Sequence, residues 1–233
     1  MTRTLNATLS ALGFAPVPSI GACIAKAKES LLLTTPDFDH YENREDAEYF
    51  SIWGGSSDEF QGWKSSGPHK RIFAYLKPFP SLYALVRLLE NWNCEVVLYG
   101  DGLPANVCQK LCEGSVRILQ GPVDLQQVAK GCDLAITNGN HGTTLKFLEF
   151  GVPVFACPLH GEQSVTAATL KTLDIGSFFH VSKIEHAAFE LGALLVDPEV
   201  KERVAEYATR VAESIGCGRQ RAIEAILRIV DAI

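Results

Sequence analysis

The chain has 233 residues, 47% of them hydrophobic, and a formal net charge of −6. That is enough apolar residue for one large domain, or one domain with an extension, and the negative balance argues against a nucleic-acid-binding surface. No run of 18 apolar residues occurs, so no transmembrane segment is expected. The odd count of seven cysteines, scattered along the chain, fits a reduced cytoplasmic protein rather than a disulfide scaffold.

Residues 1–66 differ in character from the remainder of the chain. The opening MTRTLNATLSALGFAPVP lacks the long apolar core of a signal peptide and reads as an amphipathic helix. Helical patterns at 5–12 and 20–28 precede an apolar run at 31–35, which suits a short strand. An acidic stretch at 37–48 and a Gly/Ser-rich stretch at 56–68, with Trp53 before it and Trp63 within it, read as loop and linker. Asp37-Phe38-Asp39 is a D-x-D triplet of the kind that can hold a divalent cation, but its place in an irregular leader favours a solvated turn. No core of their own is evident in these residues. They are expected to be a linker or extension from a domain that this chain lacks, with 67–233 as the domain proper.

From Lys70 the rhythm becomes regular. Strands are expected at 71–76, 95–99, 116–119, 134–137, 154–157 and 177–181. Helices fall between them, and three helical stretches run on to residue 233. Strands alternating with helices predict right-handed crossovers and a mainly parallel sheet with helices on both faces, an α/β Rossmann-like domain. Gly100-Asp101-Gly102-Leu103-Pro104-Ala105 matches G-x-G-x-x-A after a strand. That strand is not the first of the series, however, and Gln120 rather than an acidic residue ends the next one, so a loop and helix start is the better reading. Cys108 and Cys112 lie one helical turn apart with no matching His or Cys pair, which favours ordinary helix positions over a metal site. P-loop, H-E-x-x-H and G-x-S-x-G patterns do not occur.

The stretch from Asp133 to Gln163 carries the chemistry. A short apolar strand runs into Asn138-Gly139-Asn140-His141-Gly142, and a helical pattern opens at Thr143-Thr144. Gly151 and Pro153 stop it, a second strand follows, and Pro158-Leu159-His160-Gly161-Glu162-Gln163 forms a second polar turn. Both turns lie beyond the carboxyl ends of neighbouring parallel strands, where ligands bind in open α/β sheets. The first turn ends at a helix N-terminus, whose unpaired N–H groups and dipole favour an anion. Gly139 and Gly142 let backbone approach a phosphate, Asn140 stands between them in the same turn, and His141, Thr143 and Thr144 add donors. In the second turn the carboxylate of Glu162 and the amide of Gln163 together accept and donate, as adjacent sugar hydroxyls require.

With those residues in view, Asp133–Gln163 resembles the donor-binding motif of GT-B glycosyltransferases, especially the group containing plant and antibiotic-modifying enzymes. Gly139, Gly142, Thr143, Thr144, Gly151, Pro153, Pro158, Glu162 and Gln163 stand at matching positions. The resemblance covers about residues 70–180. It implies that Gly139–Thr144 and Lys77 hold the diphosphate of a nucleotide-sugar donor, that Glu162 and Gln163 hold sugar hydroxyls, and that Leu119, Gln120 and Pro122 lie against the nucleobase. It further implies sugar transfer with inversion and without an essential metal or cofactor. The catalytic base and acceptor site would then lie on a missing N-terminal domain or partner subunit. A GT-B-like nucleotide-sugar hydrolase or epimerase, and a non-catalytic nucleotide-sugar-binding subunit, are the other readings. Three departures fall inside the motif: Asn138 stands where the family has His, Asn140 replaces a Gly, and Lys146 replaces an acidic residue that accepts ribose hydroxyls.

Overall fold

The computed structural model describes residues 2–24, 30–41, 47–50, 52, 58–64, 67, 69–112, 116–181, 183–215 and 218–231. Trp53, the end of the second helical pattern and much of the Gly/Ser-rich stretch lie outside the described residues. The leader forms α1 (Thr2–Ala11), α2 (Ile20–Ile24) and two short strands, β1 (Ser30–Leu33) and β2 (Ala47–Phe50), which pair in parallel. The regular part comprises β3 (Arg71–Leu76), α3 (Leu82–Asn91), β4 (Glu95–Gly100), α4 (Ala105–Cys112), β5 (Arg117–Leu119) and α5 (Leu125–Ala129). It continues with β6 (Leu134–Thr137), α6 (His141–Glu149), β7 (Val154–Ala156), α7 (Gly161–Thr172) and β8 (Gly176–Phe178). Three helices close it, α8 (Ile184–Val196), α9 (Pro198–Ile215) and α10 (Gly218–Asp231).

The expected alternation is present, and it folds into a parallel sheet of six strands in the order β5-β4-β3-β6-β7-β8. Counted from β3, that is 3-2-1-4-5-6. The chain winds outward from β3 in one direction, then returns to its other side at β6. Between β3 and β6, paired from Ile72↔Leu134 to Tyr75↔Thr137, neighbouring connections leave in opposite directions and open a crevice at the carboxyl ends. All four residues of β6 are buried, as a parallel strand covered on both faces demands. Helices supply that cover: α3 packs with α8, and α6 packs with both α5 and α9. Cys94 and Cys157 are buried in this core, and burial pushes both thiols above their usual range, which leaves them unreactive.

At the amino end of the sheet, Asp133 knots several elements together. Its carboxylate accepts the Arg71 N–H at 3.1 Å, Lys70 Nζ at 3.3 Å and Lys201 Nζ at 3.2 Å. Burial raises its pKa, but these donors outweigh burial and hold the carboxyl below its ordinary value. A carboxylate with a lowered native pKa stabilises the fold fully above its unfolded pKa, and the contribution is lost as pH falls through the native value. Asp133→Asn is therefore expected to cost about 1–2 kcal/mol at neutral pH. Thermal unfolding should show the gap to the wild type closing in acid.

The leader docks onto this domain. Phe38 is 1% exposed and sits in the main core, edge-on to Tyr207 (centroids 6.2 Å apart) and to His141 (6.4 Å). Thr35 and Tyr207 share a hydrogen bond of 2.9 Å between hydroxyls. Further on, Phe60 joins the core, its N–H donates to Gln127 Oε1 at 3.0 Å, and Trp63 Nε1 donates to the Val128 carbonyl at 3.3 Å. Phe50 of β2 packs on Ala222 and Ala225 of α10. Of the two aspartates of the D-x-D triplet, Asp37 lies within a single 3-10 turn, Pro36–Phe38, and Asp39 follows it. Asp37 pairs with Arg210 at 3.2 Å, while Asp39 accepts the Tyr49 hydroxyl at 2.8 Å and the Tyr41 N–H at 3.1 Å.

Candidate functional site

The site is built where β3, β6 and β7 end. After Thr137 the chain turns through Asn138 and Gly139 and enters α6 at His141, two residues earlier than the pattern of apolar residues indicates. Asn140 takes the extended N-cap conformation, and its carbonyl accepts the Thr144 N–H at 2.9 Å. Gly139 is required here for two reasons. Its φ is +81°, in the left-handed region, and a Cβ on it would lie 2.8 Å from the Gln163 carbonyl oxygen of α7. That close approach brings the start of α7 beside the start of α6.

The polar side chains beneath the turn are engaged with one another. Thr137 Oγ1 accepts the Gly139 N–H at 2.9 Å and lies 3.3 Å from Thr144 Oγ1, both threonines being wholly buried. Thr144 therefore shapes the turn from below, while Thr143 and Gly142 lie toward the surface. Gln163 is also buried: its Oε1 accepts the Leu159 N–H at 2.8 Å, and its Nε2 donates to Asn140 Oδ1 at 3.2 Å. Asn138, buried too, accepts the Lys77 N–H at 2.7 Å and donates to the Cys157 carbonyl at 2.9 Å.

Above this network the surface is open. Neither α6 nor α7 has a side-chain cap, and each begins beside a glycine, Gly142 and Gly161, where a Cβ would meet nothing within 4 Å. Uncapped N–H groups with free space in front of them suit an anion. Glu162 is exposed in the first turn of α7. Lys77, half-exposed, reaches Asp101 at 3.6 Å across the β3 and β4 loops. His141 turns toward the leader rather than standing alone at the turn, with its ring edge-on to Phe38 and to His40, 5.7 Å away. Burial lowers its pKa below 6.5 and His40 adds to this, partly opposed by Glu162 and Asp39, so the imidazole is neutral at pH 7 and offers one N–H. Lys146 lies on the side of α6 facing the leader, where Nζ reaches Glu149 at 3.0 Å and the Ile52 carbonyl at 3.4 Å.

Leu119 ends β5 and Gln120 and Pro122 follow it, on the other side of β3 from the turn. Leu119 is half-buried, Gln120 and Pro122 are exposed, and the Pro122 carbonyl accepts the Asp58 N–H at 3.3 Å. Leu119 and Gln120 border a cavity of about 310 Å³ whose other wall is Asp58, Glu59 and Gln61 of the leader. Sequence reasoning alone missed the leader's contribution. His40, whose Nε2 lies 3.4 Å from Thr166 Oγ1 of α7, and Asp39 come to the site beside the buried Phe38. It also missed the bridge made by Asn138, for which the one signal is an amide placed directly after a wholly buried strand.

No protein-family model matches the chain, and no curated protein matches its sequence. Solved structures do. The chain is similar to the glycosyltransferase of kitacinnamycin, with a TM-score of 0.76 and 19% identity over 97% of this chain and 61% of that one. The spinosyn rhamnosyltransferase SpnG gives 0.73 and 16%, over 98% and 61%. The glycosyltransferase VinC, solved in complex with DTDP, gives 0.72 and 14%, over 88% and 53%. At such identities the likeness is one of fold: the Rossmann-like C-terminal half of the GT-B architecture, as the motif resemblance implies. The chain spans about 60% of the length of the first two of these glycosyltransferases.

Proposed function

We propose that this chain is the donor-binding half of a glycosyltransferase. It holds a nucleoside diphosphate sugar in the crevice beyond β3, β6 and β7, and the acceptor and the base that deprotonates it belong to a further domain or partner subunit. The observation that carries this reading is the pair of uncapped helix starts, α6 and α7, brought together at the switch point of the sheet by the Gly139 contact. Their N–H groups would stabilise the charge that develops on the leaving diphosphate, preorganised and without a metal ion. Lys77, on the facing loop, adds a cation. The exposed carboxylate of Glu162 accepts sugar hydroxyls, while Gln163 beneath ties Leu159 to Asn140 and holds the two turns together. A nucleoside running from the turn toward Leu119, Gln120 and Pro122 crosses three strand spacings, about 14 Å. Transfer with inversion in the cytoplasm completes the reading; among the described residues no helix is long and apolar enough to cross a membrane.

Calorimetric titration of the chain with UDP-, TDP- and GDP-sugars tests the donor site. At least one should bind, and Glu162→Ala should weaken the sugar nucleotide about tenfold while leaving the free nucleoside diphosphate unaffected. A folded chain that binds none of them would overturn the proposal. Breakdown of the donor by the chain alone, without an acceptor, would point instead to a hydrolase.

A further inference from the structure

Asn138 is 1% exposed, too deep to touch anything held in the crevice, yet its side chain spans it. Oδ1 accepts the N–H of Lys77, the first residue after β3, and Nδ2 donates to the carbonyl of Cys157, the first residue after β7. Asn138 itself is the first residue after β6. One planar group thus ties together the loops that leave three adjacent strands. Across the switch point the connections diverge, so no short loop performs that task. A side-chain amide suits it because one end accepts and the other donates.

We propose that Asn138 is a positioning residue of the donor site. Its amide fixes the Lys77 loop relative to the glycine starts of α6 and α7, and so presets the spacing of the groups that meet the diphosphate. This inference rests on the donor-site reading above. It assigns the residue standing in place of the family's histidine a role beneath the ligand rather than against it.

Two substitutions test it, each in the full chain, with TDP, UDP and GDP titrated at pH 8.5 and pH 5.5. In Asn138→Asp the ionised carboxylate accepts from Lys77 but cannot donate to Cys157. Protonated, it does both and mimics the amide. Its affinity is expected to fall at least tenfold at pH 8.5 and to recover at pH 5.5, relative to the wild type at the same pH. The neighbouring titratable groups, Lys77, Asp101, His141 and Glu162, are common to both proteins, so the wild type supplies their share of the pH profile. The uncharged Asn138→Ser, too short to bridge, should weaken binding at both pH values, which separates loss of the bridge from charge repulsion. It also serves if the aspartate variant fails to fold. In Asn138→Ser, which loses the acceptor for the Lys77 N–H, the Lys77 amide should exchange with solvent faster than in the wild type. Nucleotide binding by the wild type together with unchanged affinity in either variant, or a loss in Asn138→Asp without recovery in acid, would overturn the positioning role. Absence of nucleotide binding by the folded wild type would overturn the donor-site reading itself and the positioning role with it.

Discussion

Replacing Gly139 by alanine is expected to abolish nucleotide binding and to destabilise the fold by about 2–4 kcal/mol. The left-handed conformation, φ +81°, costs a residue with a Cβ about 1–2 kcal/mol. The remainder comes from contact, since the new methyl would sit 2.8 Å from the Gln163 carbonyl oxygen. That atom is backbone in the first turn of α7 and cannot swing aside as a side chain could. Relief requires α7 to retreat, which separates the two helix starts and breaks the chain of amides from Leu159 through Gln163 to Asn140. Gly142→Ala is the contrasting case, because its Cβ meets nothing within 4 Å and its φ is not positive. It should keep the melting temperature of the wild type and lose affinity only through the methyl placed before the N-terminus of α6. Thermal unfolding and calorimetry on the two variants separate these effects. A Gly139→Ala protein that melts like the wild type would show that the α6–α7 contact is not what fixes the site.

Phe38→Ala is expected to cost about 3–5 kcal/mol, as removal of a fully buried aromatic ring does. The effect is informative because composition places Phe38 in a linker, where truncation would cost almost nothing. In the structure its ring fills the space between His141 of α6 and Tyr207 of α9. Truncation should lower the melting temperature and make residues 30–64 more sensitive to limited proteolysis. A second readout is His141. Burial is the main reason its pKa lies low, so removing the covering ring should raise the pKa toward 6.5, measurable by NMR titration. An unchanged His141 titration would mean that the leader does not shield the site.

The regular half of the fold was legible because each signal was local. Three apolar residues and a threonine, all buried, make β6, and Gly151, at φ +69°, with Pro153 behind it, ends α6 where the pattern stops. The start of α6 was less legible: Asn, Gly, Asn and His are turn-formers by propensity, and the helix claims His141 and Gly142 only because Asn140 starts its hydrogen bonding. Direction was not legible at all. Thr144 and Gln163 have the donors and acceptors expected of ligand groups, but the fold turns Thr144 toward Thr137 and spends Gln163 on Leu159 and Asn140. The leader was opaque for a related reason. Phe38 and Phe60 each stand between polar neighbours with no apolar period around them, and a pattern with no period says nothing about what the ring will meet.

The packing of α10 on β2 also orders events during synthesis. Phe50 has no exposed surface because Ala222 and Ala225 cover it, some 170 residues further along the chain. On the ribosome the apolar side of the β1–β2 pair therefore emerges long before its cover exists, while the later strands can pair with near neighbours as they appear. The leader is translated before the rest of this chain and reaches its final packing only after it. Until residues 218–231 have been made, that side lacks the cover it has in the folded chain.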